Sequence, residues 1–306
     1  MHADTYLGPA RRHATVPVKQ AVIAASALSL LYPADGIDGY SSDQFIDDLA
    51  RGRRRPTAQS DAGAHCVQID HRRTSEGEAR PSLQLLDRFV ALNNRALGHF
   101  SAADRARIGV HTCPGGDQDA THSADVDYAE LLPKLFDIDA GAFYLQMASE
   151  TDPDRVLAVV GGLLRPHQRV FVGVTDPIDP TVETVEVVRD CALQAARHIP
   201  VGQLGTTDDC GFAPFADDVS TSRDIGFAKI AARIAGTCRR GRPRHLNATA
   251  APGRGLGAPE YRTGQYGTVR YGHGATRWSG ATEGVEADPM KPPATARASD
   301  RPVSAS

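Results

Sequence analysis

No stretch of the 306-residue chain approaches the ~18 consecutive apolar residues that a membrane span needs. The opening MHADTYLGPARRHATVPVKQ lacks the apolar centre of a signal peptide, so a cytoplasmic protein is expected. Net charge is scarce too. A formal charge of −3 gives no reason to expect a nucleic-acid partner. Cysteine is limited to Cys66, Cys113, Cys191, Cys210 and Cys238. Five scattered thiols make no disulfide framework, and in such a chain they are core residues, metal ligands or reactive groups.

What the chain does have is alternation. Short β-branched runs at 20–24, 65–69, 107–111, 142–145, 170–174 and 203–206 are separated by amphipathic segments at 42–51, 82–100, 127–136, 152–164, 185–197 and 222–236. Leu83, Leu86, Val90 and Leu97 fall near helical spacing, which marks a face packed on a sheet. Strand–helix alternation implies parallel neighbours, because these need crossover connections. The expected fold class is therefore α/β, a (β/α) TIM-type barrel over residues 18–237 with about six of the eight units of a closed barrel.

Residues 1–17 read as an N-terminal extension. The basic, proline-broken RGRRRPTAQ at 51–59 reads as a poorly ordered or shortened connection. From 238 to 306 the chain is rich in Gly, Arg and Pro with almost no aliphatic periodicity, the composition of a disordered tail. Arg–Gly segments with interleaved Tyr can bind RNA; a merely solvated tail, or out-of-frame reading of a GC-rich gene, gives the same composition.

Polar and metal-capable residues gather just after the strands: Asp70; His111 and Cys113; Gln146 and Glu150; Asp176; Asp208, Asp209 and Cys210. Carboxyl ends of parallel strands form the ligand-binding edge of α/β folds, so these residues converge on one rim. One imidazole and two thiolates suit zinc, and a carboxylate would complete a tetrahedral set. His-x-Cys can serve one cation because Pro114-Gly115-Gly116 permits an immediate turn. Taken singly, the cysteines read as small buried hydrophobes and His111 as a hydrogen-bonded core histidine.

QID at 68–70, VHTC at 110–113, GVTDPIDPTVET at 173–184 and DDCGF at 208–212 resemble the C-terminal catalytic barrel of the zinc-dependent, cobalamin-independent methionine synthases. The wording HTCPGGDQDATHSADVDYAELLP looks closest to a single-barrel branch. The resemblance implies methyl transfer to the zinc-bound thiolate of homocysteine, with a methylated folate as the implied donor, or another donor or a partner protein in a single-barrel member. It implies zinc ligands His111, Cys113 and Cys210, and it places Asp70 on the homocysteine amino group, with Gln68 and Asp176 as further substrate-binding candidates. Asp70 and Asp176 also read as caps on their turns.

Three departures accompany the resemblance. The family's zinc-ligating glutamate aligns with Gln146, whose neutral amide is a poor ligand beside thiolates; Glu150, four residues on, is the expected fourth ligand, or else it starts the helix at 152–164. The family's histidine proton donor aligns with Ile178, so no catalytic acid is assigned; His122 is another candidate, and reads also as a solvent-facing loop histidine. The family's first units have no counterpart before Val18, so the barrel reads as N-terminally truncated, rearranged, or completed by a partner or oligomer. The alternative function is a catalytically impaired zinc-binding scaffold. A metal-free barrel resembling uroporphyrinogen decarboxylases needs no such His/Cys/Cys set.

Overall fold

The computed structural model describes residues 4–52, 63–71, 83–113, 127–212 and 221–238, all in the first of two compact units, Met1–Pro252. The tail beyond 238, His122 and nearly all of the basic run lie outside the described residues.

Six parallel strands form one sheet: β1 Lys19–Ile23, β2 Cys66–His71, β3 Ile108–Thr112, β4 Ala142–Leu145, β5 Arg169–Gly173 and β6 Leu204–Thr207. Each pairs with the next, so spatial order equals chain order. Doubly wound sheets reverse their strand order at a switch point, whereas barrels do not. The fold is thus α/β, a partial TIM-type barrel, as the alternation of the sequence implies. Among the described residues, β1 and β6 each have one strand neighbour.

The helices are α1 Asp4–His13, α2 Ala25–Ser29, α3 Ser42–Arg51, α4 Leu83–Leu97, α5 Ala102–Arg105, α6 Tyr128–Leu135, α7 Pro153–Leu163, α8 Val185–Ala195 and α9 Arg223–Thr237. Several of their starts are set by side chains that accept from orphan backbone N–H groups. Ser41 and Gln44 form a capping box on α3, while Asp127, Thr184 and Ser222 cap α6, α8 and α9. At α7, Asp152 caps and Pro153 occupies the first turn, where its missing N–H costs nothing.

In a parallel pair, partner residues share a face, and successive residues alternate. Register therefore sorts the sheet. Ile69, Val110, Phe143, Val170 and Leu204 are aligned across five strands, and all are buried against the helices. The opposite, inner face carries Asp70, His111, Tyr144 and Phe171 in one row.

Helix α1 was not expected within residues 1–17. Gly8 and Pro9 are poor helix formers, but Leu7 is buried in a small cluster with Ala64 and Val67, and that packing holds the segment.

Candidate metal centre

The inner row ends at the carboxyl edge in three donors. His111 lies in β3, Cys113 just beyond it, and Cys210 three residues beyond β6. One ligand atom from each lies within 4.8 Å of the other two. All three are partly buried. Residues nearly a hundred positions apart thus meet because the curved parallel sheet brings the ends of β3 and β6 together.

His111 is held at both nitrogens. Its Nε2–H donates to the Asp209 carbonyl oxygen at 2.9 Å, and Nδ1 lies 3.5 Å from Asp70 Oδ1. Burial pulls the imidazole pKa down, but the Asp70 hydrogen bond, the Cys113 charge and the Asp209 carbonyl outweigh it and raise it to about 9. A partner on one nitrogen fixes the ring orientation of a metal-ligating histidine; the nitrogen that took a cation would exchange its present partner for it.

Asp70 is itself positioned. Gln68 Nε2 donates to its Oδ1 at 2.7 Å, and Lys19 Nζ donates to Gln68 Oε1. The Lys19 ammonium also sits 3.8 Å over the Tyr144 ring. Burial lowers the Lys19 pKa, against the raising influence of Cys66 and Asp70. Tyr144 stacks on Phe171 with centroids 4.8 Å apart. Its ring occupies the space that a Cβ on Gly109 would need.

Asp209 fastens the rim. Its Oδ1 accepts from the backbone N–H groups of Met147 and Ala148, and its Oδ2 from the N–H of Ser149. Its own N–H donates to Thr175 O. Burial raises the carboxyl pKa to about 6, with the three N–H donors pulling the other way. Gly173 makes this possible, since a Cβ there would overlap Asp209 Oδ1. Ser149 Oγ, 3.2 Å from Asp209 Oδ2, accepts at 2.6 Å from Gln146 Nε2. The other amide atom, Gln146 Oε1, is buried without a hydrogen-bond partner.

Not every expected site residue joins the cluster. Glu150 is outside the His/Cys/Cys group; its Oε1 accepts from the N–H groups of Thr151 and Asp152 at the start of α7. These contacts are the ones the helix-start reading of Glu150 describes. Asp176 Oδ1 accepts from Ile178 N–H, and its own N–H donates to Glu183 Oε1, so it caps its turn. Glu183 is paired in turn with the fully buried Lys229 at 2.9 Å.

Asp209 was placed on the rim without a role, and Ser149 and Lys19, which these contacts tie to the cluster, were not singled out. Asp209 stood beside Cys210 in DDCGF, but its role depends on the space at Gly173, and that space has no sequence signature.

The donor set itself, one imidazole and two thiols at strand ends, is chemically fit for zinc. No helix among the described residues is long and apolar enough to cross a membrane. No curated protein matches the chain. Among solved structures it is similar to a B12-independent methionine synthase from Shewanella sp. W3-18-1 in complex with selenomethionine, with a TM-score of 0.50 and 19% identity. That similarity covers 76% of this chain and 65% of the other, so this chain spans less than two thirds of that neighbour's length. Residues 38–223, more than half of the chain and including β2 to β6 with every donor of the cluster, match the family described as the cobalamin-independent synthase catalytic domain, and the chain belongs to that family.

Proposed function

We propose that the chain is a zinc-dependent methyltransferase that alkylates the sulfur of homocysteine to give methionine, with a methylated folate as donor, in the cytoplasm. The convergence of His111, Cys113 and Cys210 within 4.8 Å carries this reading, and membership of the cobalamin-independent synthase family supports it. A free thiol is mostly protonated at neutral pH, and the thiolate is the nucleophile. When bound, zinc supplies the Lewis acidity that makes a thiol ligand ionise near neutrality.

The chain's own residues do the rest. His111, Cys113 and Cys210 would hold the metal, and two thiolates would keep it electron-rich, so that a bound sulfur retains its nucleophilicity. The Asp70 carboxylate, 40% exposed and steadied by Gln68, would receive the substrate ammonium beside His111. Asp176, committed to its turn, would shape the pocket rim through the 176–183 loop.

The test is elemental analysis of the full chain purified without chelator, joined to a zinc-edge absorption spectrum with homocysteine. About one zinc per chain is expected, lost in Cys210→Ser and His111→Ala, with one extra sulfur in the shell on adding homocysteine. Protein free of zinc even after incubation with the metal overturns the reading.

A further inference from the structure

We infer that Gln146 supplies the fourth donor, a neutral amide oxygen, to the cation held by His111, Cys113 and Cys210; this rests on the metal-binding reading above. Residue type alone argues the other way, since an amide is a weak ligand beside thiolates. Three observations outweigh that.

The first is position. Leu145 pairs with Thr112, and the Gln146 N–H donates to Thr112 O at 3.3 Å. Gln146 therefore comes level with Cys113 on the neighbouring strand, on the same inner face. The second is burial. Gln146 is 9% exposed, yet Oε1 has no hydrogen-bond partner. Such an atom is costly to bury, and native structures leave few of them without a use.

The third is orientation. The Asp209 carboxylate, bound by three backbone N–H groups, takes the Ser149 hydroxyl hydrogen at 3.2 Å. Ser149 Oγ can then only accept from Gln146. That fixes the amide nitrogen toward Ser149 and turns Oε1 away from it. The buried acid next to Cys210 thus sets which atom Gln146 presents.

The chemistry suits a site that must admit a thiolate. Two thiolates, one imidazole and one amide leave a divalent cation electrically balanced. A substrate thiolate would add a single excess negative charge there, where a glutamate in place of Gln146 would make the excess two.

The test uses the full chain loaded with zinc or Co²⁺. Zinc affinity is read by chelator competition, and coordination by the visible bands of Co²⁺, in the wild type, Gln146→Leu, Gln146→Glu and Ser149→Ala. Gln146→Leu is expected to weaken zinc by about ten-fold and shift the Co²⁺ bands. Gln146→Glu should tighten binding, and Ser149→Ala should fall between wild type and Leu. Identical affinity and spectra for wild type and Gln146→Leu overturn this inference alone. If circular dichroism shows the Leu variant unfolded, the near-isosteric Glu variant decides, and unchanged affinity and bands there overturn the inference. A wild type that takes up neither metal overturns the metal reading with it.

Discussion

Phe143 and Tyr144 are neighbours in the chain, and each stacks on another aromatic ring, on opposite faces of one sheet. Phe143 lies against Phe136 with centroids 4.1 Å apart on the helix side; Tyr144 lies against Phe171 on the inner side. The helix side is continuously apolar, from Ile69 through Val110 and Val170 to Leu204. The inner side mixes Lys19, Gln68, Asp70 and His111 with its aromatic pair. One face does the burying that offsets chain entropy, and the other carries the candidate metal donors. Damage to the two should separate cleanly.

The largest separation is expected at the metal donors. Cys210→Ser or His111→Ala should bring zinc from about one equivalent to near none, while far-ultraviolet circular dichroism stays that of the wild type. Joint loss of zinc and fold would show that the inner face also holds the sheet together. Phe143→Ala is the reverse case. Phe143 is fully buried, so its truncation should cost about 3–5 kcal/mol in denaturant unfolding, with zinc content of the folded fraction retained.

Gly173→Ala crosses the boundary between the faces. Its new Cβ competes with Asp209 for the same space, so a loss of about 1–3 kcal/mol is expected. Weaker zinc binding should accompany it, because the loop bearing Gln146 is released. Unchanged stability and affinity would mean that the Asp209 clamp is dispensable.

The smallest effect is expected at Asp127, which lies outside the donor cluster. Its carboxylate is held below the usual carboxylate range, chiefly by the Arg155 hydrogen bond. A depressed folded pKa contributes stability that is present above the unfolded value of about 3.9 and is lost as pH falls through the lower folded value. Asp127→Asn should therefore flatten the acid limb of stability against pH below about 4. An acid limb equal to the wild type's would remove Arg155–Asp127 from consideration.

The helix side of the sheet was largely legible in the sequence. The 142–145 strand and the 42–51 helix have the bounds expected, and the other major elements fall within three residues, because period and capping residues are local signals. Helix α1 was illegible, since its support comes from Leu7 meeting Ala64 and Val67 across the fold. On the inner face, His111, Cys113 and Cys210 could be paired through their motifs, whereas Glu150 was ranked above Gln146 on its charge alone. Their difference lies in which backbone N–H groups each meets, and only the folded loop decides that.

The missing side chain at Gly173 acts as a keyhole for Asp209. Because that acid is bolted to the segment after β4 while its own carbonyl steadies His111, the thiol of its chain neighbour Cys210, the imidazole and the Gln146 amide are fastened to a common part. Breathing of the rim would carry all three along as one body, so a fluctuation there need not pull them apart.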